Sequence, residues 1–160
     1  MNNNNKPTGA EKVPFDLSRF MPYQLAVLAD DVSDTIAQVY VDRFDLGRNE
    51  WRIMAWLGSA RTMSAKDLGR RAGLDKMQTS RALARLQDKD LVSLKRDAQD
   101  RRGNIVQLTR AGRTLYDKIV PLVLAREDYL LAALTHQEIA ALDTIIGKLR
   151  QQAIGLKTRG

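Results

Sequence analysis

From Tyr23 to Phe44 the apolar residues Leu25, Leu28, Val32, Ile36 and Val39 recur at steps of three and four, which places them on one face of a helix. Gly47 and Asn49 interrupt that pattern, and Asn49 suits the N-cap of a second helix carrying Ile53, Trp56, Leu57 and Ala60 on its apolar stripe. In "SAKDLGRRAG", Ser64 and Asp67 have the spacing of a capping box, with Asp replacing the usual Glu or Gln. Ala65, Leu68 and Ala72 then form one face of a short third helix, and Gly73 suits the left-handed position that ends it. The next stretch, "LDKMQTSRALARLQDKDLV", repeats the same grammar, with Asp75 as N-cap, Gln78 three residues on, and Leu83 and Leu86 among the apolar positions. Two helices joined at Gly73 and Leu74 have the proportions of a helix-turn-helix.

After Leu91 the period changes from helical to alternating. Val92 and Leu94 share one face of a strand, Val106 and Leu108 one face of a second, and "RDAQDRRGN" joins them. A hairpin directly after a helix-turn-helix is a wing. Thr109 then suits the cap of a fifth helix through Leu115, Ile119, Leu122 and Val123 toward Leu134, with Pro121 expected to bend it. "THQE", Thr135 to Glu138, opens a last helix with Ile139, Leu142, Ile146, Leu149 and Ala153 on one side.

The fold class that follows is mainly α with a small β-wing. A winged helix-turn-helix lobe occupies about 48–109, and N- and C-terminal helices, about 21–45 and 110–156, form a dimerisation region. Together they make one domain over 21–157, preceded by a disordered polar leader at 1–20. The terminal helices carry more apolar face than one small lobe can bury, so they are expected to interleave with a second copy about a two-fold axis. The alternative is a small bundle within one chain.

Composition narrows the chemistry. The chain has no cysteine, which removes disulfides, thiol redox sensing and thiolate metal sites. His136 is the sole histidine, which argues against a histidine-built metal site or catalytic triad. With no Gly-rich phosphate loop and no nucleophile beside a base, neither an enzyme nor a cofactor is expected. No apolar run reaches the roughly 18 residues of a membrane span, so a cytoplasmic, nucleoid-associated protein is expected.

The net charge of +7 is unevenly placed. Between Arg61 and Arg113, 14 Lys and Arg stand against 6 Asp and Glu, an excess of +8, and the remainder of the chain is at −1. A concentrated basic segment within a neutral scaffold is the footprint of a polyanion binder, although a charged solvated face has the same composition.

In a helix-turn-helix the first turns of the second helix lie nearest the bases. Here those turns offer Lys76, Gln78, Thr79, Ser80 and Arg81, followed by Arg85. Arg can bond guanine bidentately, Gln can bond adenine, and small hydroxyls reach a base or a phosphate. Ser64 and Lys66, at the start of the preceding helix, are placed to hold the DNA backbone. Ordinary helix surface is the competing account of Gln78, Thr79 and Ser80. In the wing, an Asp100 pair with Arg96 or Arg102 would stiffen the loop and lower the entropic cost of inserting a guanidinium into a minor groove. Gly103 permits the turn.

The wing sequence "DAQDRRGNIVQLTRAGRTLY" resembles the MarR family of winged helix-turn-helix transcriptional regulators. It is similar to the family's Asp, two residues, Asp, Arg or Lys, Arg pattern, followed by an alternating strand and Leu, Thr, two residues, Gly. Asp97, Asp100, Arg101, Arg102, Leu108, Thr109 and Gly112 occupy those positions. "LVSLKRD" and the stretch from Leu68 to Val92 match the family's recognition half in length and order, and the resemblance covers about Tyr23 to Ala153. It implies a homodimer that binds a pseudo-palindromic double-stranded operator, usually to repress, and releases it when a small molecule binds. It also implies that Arg102 reaches the minor groove and that Asp100 holds the wing arginines Arg101 and Arg102. Some members have a further Arg where this chain has Gln99.

Family members often respond to phenolic or aromatic carboxylic acids. Tyr40, Arg43, Trp51 and Trp56 fall near the junction of the first two helices, and an aromatic wall with one cation suits such an anion. Trp56 belongs equally to the apolar stripe, and Arg43 to a helix end. The rival to a sequence-specific regulator is a winged-helix module that binds nucleic acid non-specifically, or binds protein, without an effector.

Overall fold

The structure is a computed structural model that describes residues 15–96 and 104–159. The polar leader expected at 1–20 lies outside the described residues as far as Pro14. From Phe15 the chain carries a 3-10 turn, Leu17–Arg19, in which Asp16 accepts from Ser18 N–H at 2.9 Å. Among the described residues, those up to Asp34 and those from Thr35 fall into two compact units. In the first, Phe15 and Phe20 meet edge to face at 5.3 Å. The helix α1, Met21–Phe44, runs from one unit into the other.

The second unit holds the core. It continues with α2 Arg48–Ala60, β1 Thr62–Ser64, α3 Ala65–Ala72, α4 Lys76–Asp88, β2 Val92–Arg96, β3 Asn104–Leu108, α5 Arg110–Leu131 and α6 His136–Arg159. The strands form an antiparallel sheet in the order β1-β3-β2. Val92 lies opposite Leu108 and Leu94 opposite Val106, so the alternation read from the sequence is the register of the hairpin. Leu46, Ile53, Met54, Leu57, Leu68, Leu86, Val106 and Ile119 are fully buried, which places the core where α2, α3, α4, α5 and β3 converge. Pro121 lies within α5, which is one continuous helix through it.

Local capping chemistry sets most helix starts. Asp75 accepts from Gln78 N–H at 2.7 Å while Gln78 accepts from Asp75 N–H at 3.1 Å, a reciprocal box opening α4. Thr135 and Glu138 do the same for α6, and the Thr135 N–H and hydroxyl hold the Glu138 carboxyl below the usual carboxylate range. At α3 the shorter Asp67 side chain accepts from the Ser64 hydroxyl at 2.8 Å, while Asp67 N–H donates to Ser64 Oγ at 3.0 Å. The Ser64 hydroxyl, and then the Arg70 guanidinium, hold the Asp67 carboxyl low. Gly73, at φ +70°, ends α3 in the left-handed region.

Two expectations are corrected. Asn49 does not cap α2: the helix begins at Arg48 after Gly47, whose N–H donates to Glu50 at 2.6 Å. The sheet also has a third strand, β1, that alternation could not reveal. It is three residues long and finds its partner, β3, some forty residues further along the chain.

Candidate nucleic-acid interface

On α4 the buried residues are Thr79, Ala82, Leu83 and Leu86, which at 3.6 residues per turn form one stripe. The opposite face is Met77, Ser80, Arg81 and Ala84, all exposed. From Lys76 to Gln87 the helix carries Lys76, Arg81 and Arg85 and no acid. That exposed, cationic face is suited to a polyanion.

The site residues expected from sequence fall into distinct groups. Lys66, Lys76 and Ser80 are exposed or at a surface and meet in one cleft between α3, α4 and β2, lined also by Arg70, Leu83 and Leu94. Arg81 points outward from the same helix. Ser64 and Gln78 are both engaged in caps, so each has a local structural role in addition to any contact. Gln78 stays exposed, with its amide nitrogen outside the cap bond.

Thr79 is corrected. It is only 7% exposed, and its hydroxyl donates to the Asp75 carbonyl oxygen at 2.7 Å. A Cβ on Gly69 would stand 2.5 Å from that hydroxyl oxygen, so Thr79 packs α4 against α3 and is not available to a base. Its place three before Ala82 and four before Leu83 carried this signal in the sequence.

Arg85 is tied to another element. Its Nη1 donates to Glu50 Oε1 at 3.3 Å, while Glu50 Oε2 takes the Gly47 N–H. The Glu50 side chain is 5% exposed and that of Arg85 is 73% exposed. Nearby, Lys89 Nζ donates to the Asp45 carboxylate at 2.9 Å and to the Asp45 carbonyl oxygen, holding the Asp45 carboxyl low. These contacts fasten the far end of α4 to the turn before α2. Because its guanidinium is largely solvated, Arg85→Ala is expected to cost under about 1 kcal/mol. Glu50→Ala, which also strips the partner from the Gly47 N–H, is expected to cost about 1 to 3 kcal/mol. Urea unfolding of both variants checks this, and equal losses would mean that the ion pair outweighs the cap.

Of the wing residues, Arg96 is described through its backbone, paired opposite Asn104. Asp97, Asp100, Arg101, Arg102 and Gly103 lie outside the described residues. The base of the wing is well defined. The Thr109 hydroxyl donates to the Asp90 carbonyl oxygen at 2.6 Å and accepts from Gly112 N–H at 2.9 Å, while Thr109 N–H donates to the Leu91 carbonyl oxygen at 3.0 Å. The turn entering the hairpin is thus bonded to the cap of the helix leaving it.

The four ligand candidates are not brought into one cavity. Tyr40 and Trp51 are buried and stack at 5.6 Å, and Trp51 stacks in turn on Tyr116 at 6.0 Å. This aromatic column belongs to the core. Trp56 is covered by the Arg71 guanidinium at 5.2 Å, at a surface depression that Trp51 and Arg52 also line. Arg43 instead lines a cleft between α1 and α5 with Val39, Leu122, Arg126 and Tyr129. Sequence reasoning passed over Tyr116 and Arg126, whose partners lie more than sixty residues away in the chain.

Residues 44–103 match the model of the MarR family. The chain is similar to a MarR/EmrR family transcriptional regulator from Acinetobacter sp. ADP1, at 28% identity over 88% of this chain and 99% of the other, with a TM-score of 0.80. A MarR family transcriptional regulator from Silicibacter pomeroyi is also 28% identical, over 84% and 90% of the two chains, at a TM-score of 0.72. Bordetella bronchiseptica BpsR, whose DNA binding is regulated by 6-hydroxynicotinic acid, shares the fold at a TM-score of 0.77, with 21% identity over 86% of this chain and 97% of that one.

Proposed function

We propose that the chain, whose residues 44–103 match the model of the MarR family and which is similar to regulators of that family, binds a pseudo-palindromic operator as a homodimer, represses from it, and releases it to a small aromatic or phenolic acid. The observation that carries the DNA-binding reading is the acid-free outward face of α4, which carries Arg81, together with the cleft at its edge where Lys66, Lys76 and Ser80 meet. Lys66 and Ser64 are assigned to the phosphate backbone, and Ser80, Arg81 and the free amide end of Gln78 to base edges. Arg101 and Arg102 are assigned to the adjacent minor groove, on the strength of the wing pattern in the sequence.

Support for an effector is coarser. Arg43 and Arg126 share a cleft between two helices with one acid, Asp42, which leaves an excess of one positive charge toward a carboxylate, and the relative BpsR responds to an aromatic acid. The Trp56 and Arg71 surface is a second place where an aromatic ring meets a cation.

Competition at fixed salt tests the regulator reading. A site selected from random duplex is expected to bind more tightly than unselected duplex by about 4 kcal/mol or more. Equal binding would leave a non-specific nucleic-acid module. Arg81→Ala is expected to cost about 1 to 3 kcal/mol on the selected site and to relax preference at one base pair. A uniform loss across all sequences would make Arg81 a phosphate contact.

A further inference from the structure

The side chain of Met77 is out of place for a core and well placed for a ligand. Every other large aliphatic side chain of α3 and α4 is buried, namely Leu68, Leu83 and Leu86, yet Met77 is 62% exposed. It sits opposite the stripe formed by Thr79, Ala82, Leu83 and Leu86, so no rotation of α4 that keeps the core intact could bury it. Ser80 and Arg81 follow it at i+3 and i+4 and Ala84 at i+7, all exposed, which gives the outward face an apolar strip between a hydroxyl and a guanidinium.

We infer that Met77 reads the C5-methyl group of a thymine in the major groove. This rests on the DNA-binding reading above and gives it a specific chemistry. A thioether forms no useful bond with a phosphate and no strong bond with a base edge. The one apolar feature that base pairs display in the major groove is the thymine methyl. A long, unbranched, polarisable side chain adapts to that contact at little steric cost. The cations Lys76 and Arg81 on the same turns, without an acid among them, favour DNA over a protein surface as the occupant. Ser80 and Arg81 would then bond polar edges on either side of the methyl.

The experiment uses the full chain and a site selected from random duplex. Each thymine is replaced singly by deoxyuridine, which removes only the methyl, and binding is compared for the wild-type protein and Met77→Ala. For the wild type, one position per half-site is expected to weaken binding about fourfold when demethylated, the effect of exposing about one methyl, and about sixteenfold when both half-sites are changed. For Met77→Ala, thymine and deoxyuridine are expected to bind equally at that position. The variant should melt with the wild type, since the side chain contributes little to the core. If wild type and variant discriminate identically at every thymine, or the wild type discriminates at none, the assignment to Met77 is overturned while the regulator reading stands. If selection yields no preferred site at all, the regulator reading falls and the assignment falls with it.

Discussion

Replacing Gly112 with alanine is expected to destabilise the protein by about 3 kcal/mol or more, the upper end of what overpacking a close contact costs. A Cβ at this position would stand 1.9 Å from the Leu91 carbonyl oxygen and 2.9 Å from its carbon. The obstacle is backbone of a buried residue, and the same carbonyl already accepts the Thr109 N–H, so neither side can yield cheaply. For a chain of this size the loss corresponds to a fall in melting temperature of about 6 to 12 °C. Gly73→Ala provides the contrast. Gly73 has open space where its Cβ would go and is a glycine only for its left-handed backbone. It is therefore expected to cost only the αL penalty, about 1 to 2 kcal/mol. The clash at Gly112 falls where the hairpin entry is bonded to the start of α5, so its variant is also expected to lose operator affinity at temperatures where it remains folded. Thermal melting with a binding titration well below the midpoint checks both effects. An equal cost at the two glycines would mean that the Leu91 turn relaxes freely.

Gly112 also marks the boundary of what could be read in the sequence. Its place in the pattern of Leu108, Thr109 and Gly112 was visible, but the carbonyl it must avoid was not. The caps at Ser64, Asp75, Thr109 and Thr135 were legible because their partners stand within three residues, so spacing alone encodes the bond. The hairpin register was legible for a similar reason, since alternation fixes which side chains face inward. What sequence could not supply were associations across the chain. Tyr40 and Trp51 look equally suited to a ligand wall or to a core until Tyr116 arrives from α5 to complete the stack. Arg85 looks like a free cation until Glu50 is placed beside it. Thr79 and Met77 belong to a middle category. Both were decided by the helical phase of Ala82, Leu83 and Leu86, which puts the threonine inward and the methionine outward, against the ordinary preference of each residue type.

Leu149→Glu is expected to turn the proposed dimer into a monomer and to lower affinity for a duplex with two half-sites by about a hundredfold or more, with a single half-site bound as before. Along α6, Leu142, Ile145, Ile146 and Leu149 recur at i, i+3, i+4 and i+7, each between 39% and 51% exposed. Leu124, Leu130 and Leu134 are exposed on and just beyond α5. An apolar stripe like that of α6 is rarely left uncovered, and a second copy of the same chain supplies matching surface at no cost in specificity. In a two-fold interface one substitution acts twice, so Leu149→Glu would place two carboxylates in an apolar contact and strand both without partners. The effect on DNA follows from geometry. Two recognition helices held one turn of the duplex apart, or a multiple of it, bind the second half-site as an intramolecular event, and a monomer forfeits that gain. Light scattering at micromolar concentration, paired with titrations of one- and two-half-site duplexes, separates the two consequences. A Leu149→Glu protein that stays dimeric and keeps its two-site affinity would remove α6 from the interface. A variant that loses affinity for the single half-site as well would show that α6 supports the winged lobe itself, and the apolar face would then have to be explained within one chain.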